Sequence, residues 1–245
     1  MIKDLNEKKL FKGIGTVLLY FFLSIVYQIP FIFLIEKKNF SEPLAILIVY
    51  ILLAITFVAI YHKDLKKDLK DFKKNYKKIL LTTLKYWLIG FVIMIVCNNL
   101  IALLPIKGVE NQASNESMFK QAPMIEAIMV ILFAPLVEEI VYRLSFKRFT
   151  SYKWLFTIVT GLIFAFVHVM TSIGSVRDLI MLIYLIPYGA LGCAFGYAYF
   201  KNDNIYGTMV FHSLHNLISI LELILIGGIL KWVKNQKRLE LINTL

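Results

Sequence analysis

The chain has 245 residues, 59% of them hydrophobic, with a mean hydropathy of +0.71 and a formal net charge of +11. Soluble domains hold roughly 45–50% apolar residues, so the composition excludes an ordinary soluble domain and predicts a polytopic membrane protein. The positive charge is not the footprint of a nucleic-acid binder: the lysines fall between apolar runs, where they set topology and meet anionic lipid.

In chain order, residues 1–12 carry Lys3, Lys8, Lys9 and Lys12, and a first span is expected over 14–35, long enough for the ~20 residues a bilayer needs. A second span is expected over 43–61. Residues 62–78 then bring eight lysines and three aspartates, the strongest sign of a cytoplasmic loop. Leu65, Leu69, Phe72 and Tyr76 are spaced for a helix lying in the membrane interface. Further spans are expected over 79–104, 122–144, 154–170 and 179–200. In the last of these, Gly192 and Gly196, with Ala190, Ala194 and Ala198, form a small-residue face suited to close helix packing. Residues 205–230 are long for one span and short for two. Two, broken near Ser219, would keep the basic tail on the lysine-rich side, so eight spans are expected, with seven as the alternative. The N-terminus is cytoplasmic in both, and the fold class is an all-α membrane helical bundle. Cys97 and Cys193 lie within apolar runs and are read as buried thiols rather than a disulfide.

Ionisable groups at membrane depth cost about 2.5–3.5 kcal/mol each on insertion scales, so those inside spans mark candidate sites. All six aspartates lie outside the spans. Lys85 and Glu126 fall near span ends, where they are expected to reach the headgroups, and Glu222 is expected to mark the turn in the last segment. The remaining groups lie in three helices. Glu138 and Glu139 precede Arg143; on a helix Glu139 and Arg143 are i,i+4 and pair, while Glu138 is turned about 100° away and left for chemistry. Pro135 should kink this helix. His168 sits in the fifth span. His212 and Asn216 share one face of the last, and His215 lies beside them.

A carboxylate near a histidine can deprotonate a water, and a second histidine with an amide can donate hydrogen bonds to the oxyanion formed when that water attacks an amide. Glu138, His168 and His212 could instead hold a zinc ion with an open position. Other intramembrane chemistries lack their residues: there is no His-Glu-x-x-His, no aspartate in a span, and no Gly-x-Ser-Gly before a histidine span. At about 1.5 Å per residue, Glu138 lies roughly 9 Å and His168 roughly 21 Å from the inner ends of their spans. They can meet if the fourth helix runs on to Phe149, partly sunk in the membrane.

Glu-Glu-x-x-x-Arg over 138–143, Phe-x-x-x-His over 164–168 and His-x-x-x-Asn over 212–216, in this order, resemble the CAAX-protease and bacteriocin-processing (CPBP, or Abi) family of intramembrane proteases. The resemblance covers 122–220 and divides the chain into N-terminal helices with a basic loop (1–121), a catalytic core (122–230) and a basic tail (231–245). It implies that Glu138 and His168 activate water, that His212 and Asn216 stabilise the oxyanion, and that Glu139 and Arg143 support the site. It also implies a glutamate-dependent or zinc-dependent endopeptidase whose substrate is a membrane-associated peptide or protein. Bacterial members are linked to bacteriocin maturation and immunity, pheromone processing and surface-protein trafficking. The Ile- and Lys-rich composition predicts a bacterial plasma-membrane protein. The competing readings are a non-catalytic immunity or scaffold protein that binds a membrane partner, and a small transporter using the buried carboxylates.

Overall fold

The structure, a computed structural model, describes residues 4–37 and 40–243, and their side chains except Arg177 and 226–243. The described residues form an all-α bundle without strands. Helix α1 is Glu7–Glu36, α2 Glu42–Ala102, α3 Glu110–Gln121, α4 Pro123–Ile128, α5 Ala134–Glu139, α6 Lys153–Met170, α7 Leu185–Asn202 and α8 Tyr206–Asn243. By length and composition, five described helices could cross a membrane. Leu18, Phe22, Ile25 and Phe33 of α1 are exposed, as side chains facing lipid must be.

Helix α2, with 61 residues, would be about 90 Å long against a hydrocarbon core of about 30 Å. It holds two predicted spans and the lysine-rich stretch between them. Its one interruption is Asn75, at φ −119° and ψ 15°, inside the polar stretch. The expected interfacial helix is therefore the continuous middle of this element. Between α4 and α5, Met129–Phe133 is π-helical, and Ile140–Leu144 is π-helical again. The first wide turn immediately precedes the Ala134–Pro135 step, where proline removes a backbone donor. The proline signal thus appears as a widened turn.

The remaining backbone is one uninterrupted helix from Tyr206 to Asn243. There is no turn near Ser219, and Glu222 lies exposed within the helix. Of the two span counts, this continuity favours seven over eight, because continued helical hydrogen bonding satisfies the backbone without a break. The basic tail, 231–245, lies outside the described side chains.

Two polar layers close the bundle. At the lysine-rich end the Asn6 N–H donates to the Phe149 carbonyl at 2.7 Å, Ser151 N–H to Asp4 at 2.7 Å and Lys147 to Asp64 at 2.8 Å. Asp68 accepts from the Ile205 N–H at 3.1 Å, and Asn204 donates to the Asp68 carbonyl at 2.7 Å, so mid-α2 caps the start of α8. A cavity of about 620 Å³ opens here beside Asp64, Lys147 and Asp203, and no candidate site residue lines it. At the opposite end Glu110 N–H bonds Ser172, and Tyr184 bonds the Lys107 carbonyl.

Helix α7 packs between α6 and α2 through small residues. A Cβ on Gly192 would sit 2.7 Å from the Gly161 carbonyl oxygen, and one on Gly90 would sit 2.9 Å from the Ala190 carbonyl. The small-residue face read from the sequence is thus an interhelical contact surface.

Candidate active site

The site lies where the α5 segment meets α6, α7 and α8. The predicted Glu139–Arg143 pair forms: Arg143 Nη1 donates to Glu139 Oε1 at 3.0 Å, and both side chains are fully buried. The guanidinium also donates to the Gly192 carbonyl at 3.3 Å and lies over the Phe164 ring at 4.5 Å. Arginine is the cation for such a place: its planar fork bonds two acceptors while its face stacks on an aromatic ring. Gly192 therefore serves both the helix contact and the site.

Glu139 Oε1 also accepts from His212 Nδ1 at 2.9 Å. His168 Nδ1 donates to its own helix, to the Phe164 carbonyl, at 2.8 Å. With both Nδ1 atoms acting as donors, the Nε2 atoms of the neutral rings present lone pairs. Both point toward Glu138 Oε2, each at 3.8 Å. Three acceptors facing one another repel. The arrangement is complete only with a donor among them: a water, a proton or a cation. The ring orientations are further held by stacking, His168 on Tyr188 at 5.0 Å and His212 on Phe195 at 5.3 Å.

By donor type Glu138, His168 and His212 fit zinc, and each imidazole has its far N–H held by an oxygen, as such ligands usually do. Among the described residues no three such groups are drawn together as a formed metal-ligand set.

The depth mismatch between Glu138 and His168 is resolved in part as expected. Residues 145–150 are sunk in the bundle, with Phe146 and Phe149 buried, but helix does not extend through them. Lys147 and Arg148 take positive φ, 44° and 34°, so the chain reverses while still inside.

Asn216 lies on the same face as His212, but its amide donates to the Val130 carbonyl at 2.6 Å. That carbonyl belongs to the first π-helical turn. Asn216 thus ties α8 to the Glu138 segment, with one amide hydrogen left over. His215 packs edge-on to Phe91 at 5.7 Å and makes no hydrogen bond to the site.

Glu126 corrects an expectation. Rather than reaching headgroups it is fully buried (0% exposed). Neither carboxyl oxygen has a partner among the described residues. Tyr188 stacks on His168 and Tyr20 packs on Tyr142, positions that a tyrosine in an apolar run does not signal in the sequence.

A helical membrane bundle with a buried glutamate–histidine–arginine site is a fold of the CAAX-type intramembrane protease class, and the comparisons agree. A family model described as type II CAAX prenyl endopeptidase Rce1-like matches residues 120–218. The chain is 30% identical over 125 residues to UPF0177 protein YbdI of Lactococcus lactis subsp. lactis, covering 47% of this chain and 67% of that one. It is 30% identical over 185 residues to an uncharacterized protein of Mycoplasma capricolum subsp. capricolum, covering 71% of this chain and 53% of that one. No solved structure matches it. The chain belongs to the CAAX-protease and bacteriocin-processing family.

Proposed function

We propose that the protein is an intramembrane endopeptidase that hydrolyses a peptide bond in a membrane-associated peptide or protein. The observation that carries this reading is the convergence of the His168 and His212 Nε2 atoms on Glu138 Oε2, each 3.8 Å from it. A water there would donate to Glu138 and to His168. Glu138 takes one water proton as the oxygen attacks the carbonyl carbon, and His168 Nε2 orients the attack by accepting the other. The oxyanion receives hydrogen bonds from His212 Nε2–H and the spare N–H of Asn216.

For that donation His212 carries a proton on each nitrogen. Glu139, bonded to its Nδ1, balances the charge, so two carboxylates face one guanidinium and one imidazolium. Glu138 then returns its proton to the amide nitrogen as the C–N bond breaks. A zinc ion held by Glu138, His168 and His212 would supply a water already polarised toward hydroxide.

The lysine-rich end would face the cytoplasm and anionic lipid, in the plasma membrane of a bacterium. The prenyl endopeptidase activity in the matching family's description is narrower than these residues require. A peptide or a signal-sequence remnant suits the site equally.

The test compares peptides released by cells carrying wild-type protein or Glu138→Gln at matched membrane levels, by mass spectrometry, with and without a zinc chelator. Loss of a general base costs about 10²–10⁴-fold, so a product should appear only with the wild type. Identical peptide profiles would refute the proposal.

A further inference from the structure

Three cations gather on one cluster of rings at the lysine-rich end of the bundle. Tyr86 of α2 and Tyr197 of α7 lie 4.5 Å apart between ring centres, and Trp154 of α6 lies 5.2 Å from Tyr197. Lys153 Nζ stands over Trp154 at 5.5 Å and over Tyr197 at 5.8 Å. Lys201 Nζ stands over Tyr197 at 5.9 Å, and Lys85 Nζ over Tyr86 at 6.0 Å. All three lysines are exposed. None has a carboxylate within 4.0 Å among the described residues. Asp203, two residues from Lys201, meets Lys67 and Arg148 instead, each at 3.9 Å. Cations gain from the ring faces, but three like charges drawn to one patch repel one another.

The patch sits at headgroup level. Asn202, the last residue of α7, donates to the Ile79 carbonyl at 3.2 Å and to Thr83 at 3.1 Å. The end of α7 is therefore level with the start of the second apolar half of α2, and α6 begins close by at Lys153. Tyrosine and tryptophan concentrate at this depth of a bilayer. Away from the charged end, Ile158, Leu162 and Phe166 follow Trp154 along α6 at every fourth residue, and the four are 48–60% exposed. That stripe is about 18 Å long at 1.5 Å per residue, close to the ~15 Å depth of one leaflet. A cationic, ring-lined head above an apolar stripe one leaflet deep matches a molecule with an anionic head and a hydrocarbon tail. A zwitterionic head would bring a fourth cation to three that already lack a partner.

We propose that Lys85, Lys153 and Lys201, with the Tyr86, Trp154 and Tyr197 rings, form a binding site for one anionic phospholipid. Lys153 and Lys201 donate to the phosphate oxygens, Lys85 closes the site from α2, and an acyl chain lies along Ile158 and Leu162. The lysine-rich stretch, 62–78, attracts the membrane surface as a whole; this site takes a single lipid at a fixed place. Its residues come from three helices, so a lipid bound there stabilises the packing of α7 between α2 and α6 by mass action. The proposal does not depend on the hydrolytic reading.

The test titrates the full-length protein in neutral detergent with phosphatidylglycerol, phosphatidylcholine or inorganic phosphate. Native mass spectrometry counts retained lipid, and thermal unfolding reads the stabilisation. One phosphatidylglycerol should be retained and should raise the melting temperature, with no matching effect of the other two. Lys153→Gln with Lys201→Gln should weaken phosphatidylglycerol binding by about tenfold or more. Lys66→Gln with Lys70→Gln, which removes the same charge from the lysine-rich stretch, should leave the retained lipid in place. Lys153→Arg with Lys201→Arg keeps both charges and should keep the lipid, so a folding defect in the Gln pair does not decide the outcome. Equal retention of phosphatidylcholine, equal losses in the two Gln pairs, loss from the Arg pair, or the same stabilisation by phosphate alone would overturn the proposal.

Discussion

Substituting Glu139 by Gln removes the negative charge from the most buried part of the site while leaving the shape nearly unchanged. Glu139 Oε1 accepts from Arg143 at 3.0 Å and from His212 at 2.9 Å. Arg143 is fully buried, so the variant leaves its guanidinium without a counter-charge. Removing one member of a buried ion pair costs about 3–5 kcal/mol, a large part of the 5–15 kcal/mol that holds a typical domain. For a chain of this size that corresponds to roughly 6–20 °C in melting temperature. The assay is thermal unfolding of detergent-solubilised protein, run beside Arg143→Met and the double variant. The double variant should be more stable than Glu139→Gln alone, since it no longer buries an unpaired charge. Glu138→Gln should melt within about 1 kcal/mol of wild type, because Glu138 Oε2 has no hydrogen bond to lose. If Glu139→Gln melts like wild type, or if the two single effects simply add, the pair does not hold this site together.

The packing and the capping layer make two further predictions. Gly192→Ala should lower stability by about 1–3 kcal/mol, because its Cβ would meet Gly161 backbone at 2.7 Å and 3.0 Å. Gly15→Ala, where the Cβ meets nothing within 4 Å, should be neutral or slightly stabilising in the same melts. Burial pushes the Asp68 carboxyl up to about 6 from an ordinary 3.8, opposed in part by the Ile205 N–H that it accepts. Between those values the folded chain binds more protons than the unfolded one, so stability falls as pH rises from about 4 to about 6. The fall should be up to about 3 kcal/mol, less with screening by water at this end of the bundle. Asp68→Asn should flatten that slope, and an unchanged slope would show that the burial of Asp68 is not its source.

Much of the site was legible because its chemistry is unusual for its surroundings. Charged residues inside apolar runs are few, so Glu138, Glu139, Arg143, His168 and His212 stood out, and helical spacing alone paired Glu139 with Arg143. The same reasoning misplaced Glu126. Nearness to a span end says nothing about whether the rest of the bundle covers that end, and Glu126 is fully covered. It also placed a turn near Ser219, because the positive-inside argument concerns loop charge whereas the backbone there simply continues its helix.

Composition and periodicity determined that the chain is a membrane bundle, where its apolar segments lie, and which side chains are too costly at depth to be there without purpose. These are properties of single segments and their solvent. Only the tertiary structure decided what those side chains face. It set two imidazole nitrogens on Glu138, turned Asn216 to the Val130 carbonyl, brought Gly192 against Gly161, and enclosed Glu126. Each of these depends on the tilt and rotation of one helix against another. Side-chain packing summed over many residues sets those angles, and no local stretch of sequence encodes them.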